Sequence, residues 1–375
     1  MTDSSVQAPD DQNPPEKDDR SPAEEGELAR VTATPLWRVR MRMLARSTKQ
    51  SWGLFTENKI GIVGLVIIGV FAVMALAHPI LMSTVWDDDI YDPVAGYHAP
   101  KKDYEIVNLV EDRETQMQVA QAEVRGYEDV EVGDVISVRQ QPAPPSGMHW
   151  LGTDPVGRDV FSQLLFGTRA AFLLGLVASL VTVFLATTVG AVAAYFGGVV
   201  DVILMRLADL FLLMPLIPVL AFFSGLFEPS MLVLGVLVGL VSGFGGTAIL
   251  LKSQALSVKV KPFIDAARVA GGSHAHIIFR HIVPNVMPLA FFSMMVSVTL
   301  AIGTEATLSW LGLLNFDMSW GIMIQVAQQS GYLMSGPQYW WLLVPAGAAV
   351  TLLAAAFYLV GRAMDEVVNP RLRRR

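Results

Sequence analysis

The sequence contains no cysteine, and only 16% of its 375 residues are charged, against about 25% in a typical soluble domain. The lack of cysteine excludes disulfide frameworks, Cys-ligated zinc and thiol catalysis. Because 53% of the residues are hydrophobic and the mean hydropathy is +0.46, much of the surface does not meet water. Composition therefore predicts one membrane bundle with appendages rather than two or three soluble domains.

Several catalytic and ligand-binding motifs are also missing. No G-x-x-x-x-G-K-[ST] phosphate loop occurs, so the chain has no usual cradle for ATP. Neither a credible Ser-His-Asp order nor a pair of general acids is present, and we expect no catalytic residues. The six histidines show no metal spacing, so no metal site is expected. No basic patch with interleaved aromatic residues indicates nucleic-acid binding.

Long apolar runs make up most of the chain. A bilayer core of about 30 Å needs about 20 apolar helical residues, and six runs are long enough. Small residues within them, such as Gly175 and Gly190, would let helices approach closely. The sequence thus predicts an all-α polytopic membrane protein with spans at residues 60–82, 170–194, 203–225, 231–251, 286–308 and 340–361.

The remaining segments differ in charge and predicted order. The Asp-, Glu- and Pro-rich start cannot bury enough apolar surface to order itself, and the basic stretch after it suits a helix on an anionic membrane surface. The segment after the first span is polar and alternates enough to hold short strands. We divide the chain into a disordered acidic tail (1–30), a basic interfacial helix (31–59), the first span (60–82), a partly β extracytoplasmic insertion (83–150), a core (151–365) and a basic tail (366–375).

Basic residues predict the orientation. With six spans, both termini and the 252–285 segment lie on one side, and that side carries most of the Lys and Arg residues. The short loops opposite, near 226–230 and 309–339, contain neither. The positive-inside rule then places both termini in the cytoplasm.

The coupling loop, which we define as residues 255–285, is too polar to span the membrane but has helical periodicity. Small residues at 266, 267 and 270 would leave one face smooth, and Gly271-Gly272 would end a short helix. A second helical run, His274 to His281, leads to Pro284. The sequence predicts a helix–turn–helix on which the surface of a partner can sit close to the backbone.

The coupling loop carries a family resemblance. Its residues Asp265, Ala266, Ala267, Gly271 and Pro284 resemble the Glu-Ala-Ala loop of permeases of ATP-binding-cassette (ABC) importers, in which a Gly and later a Pro follow. Asp265 departs from the usual Glu, which keeps the charge and shortens the reach, and His281 replaces Ile. The resemblance implies that this loop docks into a cleft of an ATPase subunit.

A second resemblance covers more of the chain. Residues 151–169, 195–215 and 305–313 resemble, in order, segments of dipeptide and oligopeptide permeases, specifically the C-type subunit with an extra N-terminal span. Residues 315–318, Asn-Phe-Asp-Met, replace a Pro-rich run common in that branch, so the loop there is expected to differ in shape. The resemblance extends over about 150–370 and leaves out the insertion and the acidic tail.

The resemblance implies a fold, a location and partners. The fold is that of type I ABC importer permeases with six spans, in a prokaryotic cytoplasmic membrane. The implied partners are a second homologous permease, two ATPase subunits that bind ATP and Mg, and an extracytoplasmic binding protein, either a lipoprotein or periplasmic. The cargo is peptide, and this chain itself holds no cofactor.

Polar residues near the spans admit two interpretations. Glu305 lies near the outer end of the fifth span, followed by Ser309 and Trp310. An ionisable residue within a span is a candidate for function, so these three are candidates for the translocation pathway or gate; a helix-end contact without a substrate role is equally compatible. An interfacial motif before the second span can contact substrate or form an ion-pair and cap cluster, which is the favoured interpretation; its residues are Gly152, Asp154, Gly157, Arg158 and Asp159.

Other functions stay open at this point. The same architecture serves importers of nickel or of glycosides. A secondary transporter would need charged residues deep in its spans, and the span centres here are nearly free of them. The 83–150 insertion can be an enzyme or sensor domain, or it can shape the mouth at which a binding protein docks.

Overall fold

The computed structural model describes residues 52–105 and 135–368. The predicted acidic tail, residues 31–51 of the predicted basic helix, residues 106–134 of the insertion and residues 369–375 of the basic tail lie outside the described residues. Within the described part of the basic helix, residues 52–57 are helical.

Helices dominate the described residues. They are α1 (Lys59–Thr84), α2 (Asp88–Tyr91), α3 (Val160–Phe196), α4 (Gly198–Leu213), α5 (Leu216–Leu226), α6 (Met231–Phe244), α7 (Gly246–Lys259), α8 (Pro262–Val269), α9 (His274–Ile277), α10 (Val283–Trp310), α11 (Trp320–Gln329) and α12 (Trp340–Val368). A π-turn (Ile278–Ile282) joins α9 to α10, and two 3₁₀ turns precede α12. This architecture confirms the predicted all-α membrane class.

Within the described residues, four continuous helical stretches are long and apolar enough to cross a membrane: Lys59–Thr84, Val160–Phe196, His274–Trp310 and Pro337–Glu366. Two further spans arise only if bent helix pairs are counted as one span each. These pairs are α4 with α5, bent by 83°, and α6 with α7, bent by 46°. The count of six spans therefore stays a prediction.

The two bends interrupt stretches that the sequence analysis treats as straight spans. Helix α4 ends at Met214, whose ψ of 122° is extended, because the ring of Pro215 disfavours helical backbone in the residue before it. Helix α6 ends at Gly245, whose ψ of −134° lies outside the regions allowed to other residues. Pro and Gly are tolerated within membrane helices, but here both break the helix.

The core forms where α3 packs against α1, α6, α7 and α10. Glycines allow the close approaches that the sequence predicts. A Cβ on Gly190 would lie 2.8 Å from the backbone nitrogen of Lys252, and one on Gly175 would lie 2.7 Å from the side chain of Val298. Large apolar side chains point outward elsewhere, as for Val73 and Leu76 of α1, each 67% exposed. A lipid-facing surface accounts for such exposure.

The insertion contains a two-stranded antiparallel sheet. Strand β1 (Lys101–Glu105) pairs with β2 (Val135–Arg139), in a register that sets Lys101 opposite Arg139 and Glu105 opposite Val135. The strands confirm the predicted β content of the insertion. Only β2 lies in the alternating run that suggested strands; β1 precedes it.

Candidate functional site

The coupling loop is a helix–turn–helix, as predicted. Helix α8 starts with Pro262 at its first turn, where a missing N–H costs nothing. It ends at Ala270, and Gly271 takes the left-handed conformation, with φ +79°. The side chain of Ser273 then caps α9 by accepting a hydrogen bond from the N–H of His276 at 3.3 Å.

Isoleucines fasten the underside of the coupling loop to the bundle. Ile264, Ile277 and Ile282 are 0%, 1% and 0% exposed. They pack in one cluster with Leu251 of α7 and Tyr195 at the end of α3. Burying such a side chain contributes about 1.5–3 kcal/mol, so these contacts anchor the loop on the helices beneath it.

The opposite surface of the loop faces outward. Asp265, Ala266 and Gly271 are exposed, and Ala267 is half-buried. Among the described residues, the carboxylate of Asp265 bonds only to Arg268, at 3.2 Å. A Cβ on Gly271 would meet nothing within 4 Å. Three of the five predicted docking residues, Asp265, Ala266 and Gly271, thus form a low, open surface that suits contact with another protein, whereas Ala267 packs partly against the cluster beneath.

Pro284 lies inside a continuous helical stretch. The helical run that starts at His274 does not stop at His281 but continues into α10, so that His274–Trp310 is one stretch. Because proline has no N–H, the carbonyl of Arg280 cannot receive its usual helical bond. The chain widens into the π-turn, in which the N–H of Val283 reaches the carbonyl of Ile278, and Asn285 donates to the carbonyl of His281 at 2.8 Å. Such π-turns occur frequently at functional sites.

Three contacts, which the sequence analysis did not find, join the coupling loop to the end of α3. The hydroxyl of Tyr195 and Nδ1 of His274 are 2.8 Å apart. The guanidinium of Arg268 lies 5.5 Å from the centre of the Tyr195 ring, close enough for a cation–π interaction. Lys259 donates to the carbonyl of Ala194 at 2.9 Å. Partners so far apart in sequence leave no local signal, so only the fold reveals them.

The interfacial motif forms an ion pair and a helix cap. Arg158 donates to Asp154 through its Nε at 2.8 Å, and its Nη2 lies 2.7 Å from the same oxygen. The carboxylate of Asp159 caps α3 by accepting from the N–H of Ser162 at 2.7 Å. Gly152 and Gly157 have φ of +73° and +94°, a conformation that costs other residues energy.

Two histidines extend this motif. Nδ1 of His149 lies 2.8 Å from Asp159, and its Nε2 lies 2.9 Å from Nδ1 of His98. His149 and Asp159 are each 1% exposed. The chain of bonds ties the insertion to the start of α3. The favoured interpretation of the motif as a structural cluster agrees with this geometry, and its place at a membrane interface stays a prediction.

The candidate pathway residues do not share one surface. Glu305 is 5% exposed, and its carboxylate accepts a hydrogen bond from Ser309 at 2.7 Å. Ser309 is fully buried and Trp310 is 40% exposed. Ser309 packs closely against α11, since a Cβ on Gly321 would lie 2.6 Å from the Cβ of Ser309, and the role of these residues in a pathway or gate stays a prediction.

Comparisons with known proteins agree in family. Residues 186–374 match the model of the family described as binding-protein-dependent transport system inner membrane component. The chain is 33% identical over 243 residues to the dipeptide transport system permease protein DppC of Bacillus subtilis, covering 64% of this chain and 73% of that one. It is 33% identical over 234 residues to the oligopeptide transport system permease protein OppC of Mycobacterium bovis, covering 61% and 78%. The probable D,D-dipeptide transport system permease protein DdpC of Escherichia coli is 31% identical over 240 residues, covering 64% and 78%.

Proposed function

The chain belongs to the family of binding-protein-dependent transport system inner membrane components, and we propose that the cargo of its importer is peptide. It is a multi-pass permease subunit of an ABC importer, without catalysis of its own, and ATP is hydrolysed in partner subunits. The peptide cargo rests on its relatives, which are named for dipeptide and oligopeptide transport. We expect a second, homologous permease to complete the pathway.

The coupling loop is the proposed docking site for an ATPase subunit. The open surface at Asp265, Ala266 and Gly271 supports this role, since it leaves room for a partner close to the backbone. The buried isoleucines and the Tyr195–His274 bond support transmission, because a displaced loop would carry the end of α3 with it. Closure of two ATPase subunits that bind ATP and Mg would then switch the bundle between two arrangements.

Co-purification tests the docking role. We would solubilise the tagged chain gently from its native membrane and measure recovered ATPase subunits, the second permease and the binding protein. Recovery of the ATPase subunits that is lost when Gly271 is replaced by a bulky charged residue supports docking at the loop. Full recovery with that variant would contradict it.

Uptake distinguishes the cargo. Cells or vesicles with the complete importer would be offered a labelled dipeptide, a labelled longer peptide, nickel ions and a glycoside in parallel. We expect ATP-dependent, competable uptake of at least one peptide. Uptake of nickel or a glycoside alone would move the chain to another branch of the same architecture.

The absence of cysteine gives a direct test of orientation. We propose that the coupling loop and both termini are cytoplasmic. Ser257→Cys, exposed in α7, and Gln338→Cys, exposed before α12, place single thiols at the two ends of the bundle. In intact cells an impermeant thiol reagent should label only the cysteine at 338. Labelling at 257 alone would reverse the orientation.

A further inference from the structure

A cavity of about 530 Å³ opens at the end of α10 opposite the coupling loop. The first turns of α3, the turn before α6 and the turn between α10 and α11 line it. Its volume lies within the range of about 300–1,000 Å³ that is usual for small-molecule sites. We call it the Arg169 cavity after the one cation among its lining residues.

Three charged side chains from separate elements face the Arg169 cavity. Arg169 comes from α3, Glu228 from the turn before α6, and Asp317 from the turn after α10. Within the ranges that the structure describes, neither Arg169 nor Asp317 takes part in an ion pair. Glu228 accepts a hydrogen bond from the amide of Asn315 at 3.2 Å. Opposite charges that line one cavity without pairing remain available to a ligand that carries both signs.

The wall that carries Asp317 is held firmly. The neighbouring Met318 is 1% exposed. The indole of Trp320 donates to the carbonyl of Leu164 at 3.0 Å, and a Cβ on Gly167 would lie 2.5 Å from the indole ring. These contacts hold the turn against the start of α3, so the carboxylate of Asp317 and the guanidinium of Arg169 line the cavity from packed elements, as a binding site requires.

The turn between α10 and α11 supplies polar side chains to the cavity. Residues 315–318 contribute both Asn315 and Asp317. Phe166 and Met231 add apolar surface between the charges. The cavity thus offers a cation, two carboxylates and an apolar floor.

We propose that the Arg169 cavity binds the two charged ends of a zwitterionic peptide on its way into the translocation pathway. The planar guanidinium of Arg169 matches a terminal carboxylate, with two parallel hydrogen bonds. Asp317 and Glu228 accept hydrogen bonds from the terminal ammonium, which has three donors. This assignment rests on the proposed peptide import and places a specificity step in the permease itself.

Equilibrium binding tests the assignment without the binding protein. We would reconstitute the complete permease–ATPase complex in nanodiscs and measure binding of one labelled dipeptide in three forms: free, N-acetylated and C-amidated. The wild-type complex should bind the free form about tenfold more tightly than either blocked form, since each blocked form loses the charge-assisted hydrogen bonds of one end.

Two variants separate the ends of the peptide. Arg169→Gln should remove the advantage of the free form over the amide and keep its advantage over the acetylated form. Asp317→Asn should do the reverse. Arg206→Gln, an exposed cation that does not line the cavity, is the matched control and should leave all three affinities unchanged.

The experiments test the peptide site in the cavity and the proposed import of peptides separately. Equal binding of all three forms to the wild-type complex, no detectable binding, or an equal loss for all forms in both variants would overturn the site. The last result combined with weaker affinity for the binding protein would identify the cavity as a protein contact. Peptide import itself is judged by wild-type uptake with the binding protein present, so that either can fail while the other stands.

Discussion

In the interfacial motif, Asp154 and Asp159 are 6% and 1% exposed, and each of their four carboxylate oxygens accepts a hydrogen bond or an ion pair. In the coupling loop, the side chain of Asp265 is 67% exposed and only one of its oxygens is bonded, to Arg268. Both segments carry short signatures of Asp, Gly and Arg. The first uses its polar atoms within the chain, and the second leaves them free for a partner.

The difference separates two reasons for which a polar motif exists. A buried carboxylate must be satisfied inside the protein, since leaving it unpaired is costly. An exposed carboxylate in a loop with buried isoleucines beneath it contributes little to folding, so its use lies in what it contacts. The burial and hydrogen bonding of a motif therefore distinguish a structural role from a docking role, and a short sequence pattern alone does not.

The largest expected effect is on the stability that the interfacial motif gives to the fold. Asp159→Ala removes the cap of α3 and leaves His149 buried without its carboxylate. We expect a loss of about 2–4 kcal/mol of stability, from the lost cap and from the buried imidazole left without its hydrogen-bond partner. A thermal melt of the purified complex, followed by size-exclusion, measures it. The matched control is Asp209→Ala, which removes a carboxylate at an exposed pair. Equal melting temperatures of the two variants would contradict a structural role for Asp159.

The next effect concerns the turn of the coupling loop. Gly271→Glu places a side chain at φ +79°, at a cost of about 1–2 kcal/mol, and projects it into the open docking space. We expect at least a tenfold drop in recovered ATPase subunits, while the backbone cost lowers the melting temperature by only a few degrees. Gly271→Asn is the control, because asparagine tolerates this backbone conformation. If Asn impairs recovery as strongly as Glu, the added charge and bulk are not the cause.

A smaller effect is expected from the exposed carboxylate. Asp265→Lys reverses one charge on the docking surface and should lower ATPase recovery several-fold. The effect should weaken in high salt, because exposed charges are screened. The free energy of unfolding should differ from that of the wild type by no more than about 0.5 kcal/mol. A large loss of stability would instead assign Asp265 to the fold.

The smallest effect sets the baseline of the comparison. Arg206 and Asp209 pair at 3.5 Å on α4, with side chains 82% and 46% exposed. Such i,i+3 surface pairs contribute about 0.3–0.5 kcal/mol. We expect Arg206→Ala to change neither melting temperature nor ATPase recovery. A clear effect on recovery would extend the docking surface onto α4.

Particular residues show which features of the fold can be predicted from the sequence. The helix–turn–helix of the coupling loop is predictable, because Pro262 and Gly271 are local signals for a helix start and end. The Arg206–Asp209 pair follows from helical spacing alone. The breaks at Met214 and Gly245 have local signals as well, but Pro and Gly also occur inside straight membrane helices, so the bends become certain only in the fold.

Composition, hydropathy and short-range spacing by themselves determined that this is a helical membrane protein with a polar, helical coupling loop, since these properties depend on residue type and local pattern; one basic side stays a prediction. The tertiary structure alone decided which polar residues are bonded inside the protein. His149 with Asp159, Tyr195 with His274, and Trp320 with the carbonyl of Leu164 meet across different elements. Their pairing depends on how helices pack, and no local pattern encodes that distance.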